Sequence, residues 1–111
     1  MEFTYQFVRM MGIGLFYATP ILLFLIALIA MLGQAIGRRE GWSRSDALYY
    51  AFITATTVGY GDFRPEAKAG KFMAIGIALL GLLLTGIVVA IGVKAANLAF
   101  QEIYEITVMP R

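Results

Sequence analysis

The sequence contains neither cysteine nor histidine. The first absence removes disulfides and thiolate-bound metals, and the second removes proton sensing or general base catalysis by an imidazole. Charge is scarce as well. Charged residues make up 14% of the 111 positions, and the formal net charge of +2 is spread along the chain instead of gathered into a nucleic-acid groove. No nucleophile stands at a spacing that suggests an adjoining base, so the chain reads as a non-enzyme without a cofactor. What remains is apolar: 60% hydrophobic residues and a mean hydropathy of +0.79, outside the range of soluble domains.

That apolar content is concentrated. From Met10 to Gly37, and again from Phe72 to Val93, no residue is charged. Each run exceeds the roughly 20 helical residues that cross a hydrocarbon core, which predicts a multi-pass protein of the cell membrane. The first run is too long for the apolar core of a signal peptide and has no small-residue cleavage site before Arg38, so it is expected to be retained. The predicted outer helix spans 10–37, with Pro20 a possible kink. Phe3, Phe7, Val8 and Met11 recur at helical spacing ahead of it, as a brief interfacial helix or as the start of the span itself. Gly33 and Gly37 form a G-x-x-x-G pair, compatible with a close helix contact and with chance. The second long helix is predicted over 66–99, starting after Pro65 with Glu66 in its first turn and ending with Lys94 reaching for headgroups. The closing Met109-Pro110-Arg111 is compatible with native sequence and with an expression remnant alike.

Between the spans, Arg38-Arg39-Glu40-Gly41 makes a charged turn, followed by Trp42 at interfacial depth. Ser43 with Asp46 three positions on is an N-cap pattern, so a helix is predicted over 44–56. At about 18 Å from its rise per residue it is too short to span, so it must enter the membrane and return.

It leads into Thr56-Thr57-Val58-Gly59-Tyr60-Gly61-Asp62. Glycine at positions 59 and 61 permits positive φ, which lets consecutive carbonyls turn the same way instead of alternating as in a strand. The segment resembles the potassium-channel signature without a substitution, TVGYG being the filter of that family. The resemblance implies an all-α membrane protein, two transmembrane helices with a re-entrant pore helix and an extended selectivity filter over 57–61, the whole chain forming one ion-channel pore domain. It implies K+ sites made by the carbonyls of Thr57, Val58, Gly59 and Tyr60 and the Thr57 hydroxyl, with the Val58 and Tyr60 side chains packed behind. Four copies would close the ring, so the expected partners are three identical subunits, membrane lipid and potassium ions. Four C-terminal ends of the short helix would then favour a cation in the cavity, with Thr54 and Ala55 nearest that end, in plain packing or in a direct role.

Tyr49 and Tyr50 stand where the family commonly carries two tryptophans. Either they form an aromatic layer, or Tyr49 donates to Asp62 and, with Gly61, supports the filter mouth. Ile53 replaces a buried glutamate of some relatives, which removes that hydrogen-bond support. Asp62 can concentrate cations or act as an ordered acceptor. Gly81 falls where the family's inner helix carries a hinge glycine, with close packing the alternative. Helical spacing then turns Leu82, Thr85, Gly86, Val89, Ala90 and Val93 toward the pore, with Val89 and Val93 able to close it by dewetting.

No arginine-rich voltage-sensing helix or ligand-binding domain is visible, so regulatory domains outside this chain are an open expectation. Arg38, Arg39, Arg44, Arg64, Lys68 and Lys71, six of the nine basic residues, lie between the spans. The positive-inside tendency opposes placing that loop outside, yet the filter resemblance favours it. The expected function is passive, K+-selective conduction. The alternatives are a non-selective Na+/K+ channel and a silent structural pore subunit.

Overall fold

The computed structural model describes residues 2–108. Three helices follow in order: α1 Glu2–Glu40, α2 Arg44–Ala55 and α3 Lys68–Val108. Two of them, α1 and α3, are long and apolar enough to cross a membrane.

The helix bounds depart from the sequence expectations where local breakers, not hydropathy, decide them. The outer helix predicted over 10–37 begins at Glu2 and ends at Glu40, because nothing in the polar start interrupts it; the segment before Met10 is the first part of the span. It continues through Pro20, while Thr19 Oγ1 donates back to the Leu15 carbonyl at 2.9 Å. Glu2 in its first turn and Arg38 and Arg39 in its last complement the helix dipole. Its end is a glycine stop: Gly41 takes φ 78°, and the Trp42 N–H donates to the Gly37 carbonyl at 2.9 Å. The short helix starts at Arg44, with Ser43 as N-cap accepting from the Asp46 N–H at 3.1 Å, and Thr56 is its C-cap.

The helix predicted over 66–99 starts at Lys68 and runs to Val108. Glu66 therefore lies outside the first turn. The carboxylate at this helix start is Glu40, whose Oε2 accepts from the Ala67 N–H at 3.1 Å. Past Ala99 the residues Gln101, Glu102, Tyr104 and Glu105 are polar but helix-compatible, so α3 outlasts its apolar run. Met109-Pro110-Arg111 lies outside the described residues.

The fold divides into two compact units. The first, Ile21–Thr85, holds α2 between the later part of α1 and the early part of α3. Its core is Ile29, Ile36, Tyr50, Ala51, Ala55 and Ile77, with Leu32, Trp42, Phe63 and Leu80 packed against it. The second contains the start of α1 up to Pro20 and α3 from Gly86 onward. These segments run antiparallel, with Phe3 against Phe100 at 4.8 Å between ring centroids and Gly14 facing Ile91. Ala95 and Ala99 are buried there.

Candidate functional site

The seat of α2 is made of small residues. Ala47, Ala51 and Ala55 recur every fourth position and are all buried, a stripe along one face. On α1, a Cβ built on Gly33 would stand 2.6 Å from Ala51 Cβ, and one on Gly37 would stand 2.6 Å from Ala47 Cβ. The G-x-x-x-G pair is thus a docking surface for α2. On α3, a Cβ on Gly81 would stand 2.5 Å from Ala55 Cα and 2.7 Å from its carbonyl carbon. Glycine is required at 81 by close packing on the end of α2, the alternative weighed against a hinge, and α3 is unbroken through it.

The C-terminal end of α2 passes directly into the glycine-containing segment. Thr56 N–H donates to the Phe52 carbonyl at 3.0 Å, Thr57 N–H to Thr54 at 3.2 Å and Gly59 N–H to Ile53 at 3.0 Å. The segment is folded back onto the last turn by its own amides. Positive φ occurs at Thr57 (67°), Gly59 (55°) and Gly61 (84°), while Val58 and Tyr60 remain negative. The sign therefore alternates over five residues. Sequence reasoning assigned this freedom to the glycines alone and missed Thr57, since a β-branched residue is the least expected occupant of that region. Such a conformation costs about 1–3 kcal/mol and persists only where the surroundings over-determine it. Side chains of Val58 and Tyr60 are exposed in the single chain.

Beyond Gly61 the chain is fastened to α2. Tyr49 OH donates to Asp62 Oδ2 at 3.0 Å, and Asp62 Oδ1 accepts from the Phe63 N–H at 3.1 Å. Both carboxylate oxygens are engaged. The hydrogen bond to Asp62 first, then desolvation and the negative charge, hold the Tyr49 phenol above the ordinary tyrosine range. The phenol thus stays a donor at neutral pH, and its bond is lost only as pH rises past that raised value. Phe63, which sequence reasoning did not single out, packs edge-on to Trp42 at 5.3 Å and to Tyr49 at 6.1 Å, while Trp42 meets Tyr50 at 5.1 Å. Tyr50 is buried in this cluster; Tyr49 keeps its ring half-exposed and its hydroxyl on Asp62.

Glu40 was also missed as a functional contact. Its bond to Ala67 ties the end of α1 to the start of α3, closing the loop that carries residues 56–67. The available signal was a carboxylate immediately before a glycine stop. Glu40→Gln should lower the melting temperature by a few degrees, consistent with about 1 kcal/mol for a lost cap. Faster hydrogen exchange at the Ala67 amide locates the loss; an unchanged amide would mean the contact carries nothing.

Of the inner-helix residues singled out, Leu82 and Thr85 are exposed in the first unit, and Val89, Ala90 and Val93 in the second.

The ion channel family model matches residues 17–97 of the chain. The chain is 35% identical to TWiK family of potassium channels protein 7 from Caenorhabditis elegans over 59% of its length and 12% of that protein. It is 51% identical to a voltage-gated potassium channel from Aeropyrum pernix over 33% of its length and 12% of that protein. It is 32% identical to two pore potassium channel a from Oryza sativa over 70% of its length and 22% of that protein. The chain thus spans between 12% and 22% of the length of these relatives. No solved structure matches it. The match runs from Tyr17 through α2 and the Thr57–Gly61 segment to Asn97: the chain belongs to the two-transmembrane-helix potassium-channel pore family.

Proposed function

We propose that four copies of this chain form a K+-selective pore that conducts passively across the cell membrane. The observation that carries the reading is the alternation of φ sign from Thr57 to Gly61. A strand with uniform φ points successive carbonyls to opposite sides, whereas alternating signs allow them to face one side and replace the water around a cation. The ligands are the carbonyls of Thr57, Val58, Gly59 and Tyr60 with the Thr57 hydroxyl. One chain supplies one wall, and four related by rotation enclose the ion. The exposed Val58 and Tyr60 side chains are then covered by the neighbouring subunit. In this assembly α2 is re-entrant, its C-terminal dipole favouring a cation. Thr85, Val89 and Val93 line the path, and the loop between the spans faces outward. Any bend at Gly81 has to preserve its contact with Ala55.

The test is electrical. With the purified chain in planar bilayers, potassium on one side and sodium on the other, the reversal potential should fall near the potassium equilibrium value. A potential near zero with measurable current would mean a non-selective pore, and no current from folded tetramers a silent one.

Tyr49 and Asp62 hold the outer end of the filter to α2. Tyr49→Phe should leave tetramer yield unchanged while currents decline faster during sustained opening, an effect slowed by raised external K+. Identical selectivity and decay in both proteins would remove this role.

A further inference from the structure

A groove of about 590 Å³ lies in the second unit, between the start of α1 and the end of α3. It is the size of pockets that bury small organic ligands. Ile13, Tyr17 and Ala18 form one wall, Ile87 and Ile91 the other, and among the described residues Lys94 is the only charged one that lines it. Its origin is the close pairing at Gly14, where a Cβ would stand 2.6 Å from Ile91 Cγ2. That contact draws the helices together, and the small side chains of Ala18, Ala90 and Ala95 leave space beside it.

Lys94 interrupts a stretch that is otherwise uncharged from Phe72 to Gln101. Its side chain is exposed, and none of the side-chain hydrogen bonds among the described residues involves it. A cation on an apolar wall needs a counter-charge or a route to water. Along α3 the next carboxylate is Glu102, eight residues on and about 12 Å of helix rise away. The phosphates of anionic lipids offer a counter-charge in the bilayer itself.

We infer that this groove holds an acyl chain of an anionic phospholipid whose phosphate pairs with Lys94. The apolar walls accept a tail of any lipid, and Lys94 selects the headgroup charge. The inference rests on the membrane location and the groove alone, so it stands whether or not the pore is selective.

Native mass spectrometry of the detergent-solubilised protein, titrated with phosphatidylglycerol and with phosphatidylcholine of matched tails, tests it. Phosphatidylglycerol should be preferred about fivefold, the effect of one basic residue near an anionic surface. Lys94→Gln should abolish the preference and Lys94→Arg should keep it. Ala18→Trp, which fills the groove, should reduce binding of both lipids. Equal binding of the two lipids by the unaltered protein would overturn the inference. So would a preference that survives Lys94→Gln, since the remaining basic residues would then be its source. Unchanged lipid counts in Ala18→Trp would show that no tail occupies the groove.

Discussion

Replacing Gly81 with alanine is expected to abolish recovery of the assembled protein, or to lower its melting temperature by ten degrees or more on the scale of about 4–8 °C per kcal/mol for a small domain. The added methyl meets backbone: Ala55 Cα at 2.5 Å and its carbonyl carbon at 2.7 Å. A side chain could rotate aside, but Ala55 is fixed by the last turn of α2 and is itself buried. Overpacking typically costs about 1–3 kcal/mol where side chains can give way, and here the displacement must be taken by a helix end. The opposing gain in helix propensity is only about 1 kcal/mol. Gly86→Ala is the internal comparison. A Cβ there meets nothing within 4 Å, so the variant should be recovered in normal yield. The two variants, compared by size-exclusion yield and thermal denaturation, separate packing from bending. If Gly81 serves only as a hinge, its alanine variant will assemble as well as Gly86→Ala and differ in channel opening alone.

Gly59→Ala should produce the opposite pattern, a folded assembly that no longer discriminates potassium from sodium. A Cβ at Gly59 meets nothing within 4 Å of this chain, so the penalty is conformational: φ is 55°. An L-residue in the left-handed region loses roughly 1–2 kcal/mol relative to its alternatives. In the proposed ring of four subunits that bias would act four times at the same height. Relief comes by turning the peptide to negative φ, which breaks the alternation from Thr57 to Gly61 and swings one carbonyl per subunit out of line. The reversal potential under potassium–sodium gradients should move toward zero, or current should vanish, while tetramer yield holds. A variant that kept the selectivity of the unaltered protein would mean that the backbone at 59 does not contribute to ion choice.

How much of this could be read from the residues differs element by element. The start of α2 was legible because its signal is local: Ser43 and Asp46 stand three apart, and the cap forms between them. The glycine segment was legible for the same reason. The ends of α1 and α3 were not, because hydropathy marks where a helix leaves lipid and says little about where the backbone stops being helical. Glu2 and Glu105 lie well outside the apolar runs yet remain helical. Glu66 satisfied the local rule for a first-turn acid, but the carboxylate that meets the start of α3 is Glu40, 27 residues upstream of Ala67. No spacing rule of short range could have found it. Gly33, Gly37 and Gly81 were visible as small residues, but which surface each would meet depends on three helices arriving together. The positive φ of Thr57 lay furthest from sequence rules, since it runs against the preference of its own side chain.

The glycine and alanine seat of α2 also bears on temperature. Longer side chains in a helix interface must surrender rotamer freedom when they lock together, an entropic loss that grows in weight on heating. Gly33, Gly37, Gly81, Ala47, Ala51 and Ala55 have no rotamers to surrender. At these contacts α2 is therefore positioned without alternative side-chain states to broaden it as the protein warms, while Ile29, Ile36, Tyr50 and Ile77 complete the packing. Ion discrimination that depends on where α2 leaves the following carbonyls should then drift little with temperature until the helices themselves separate.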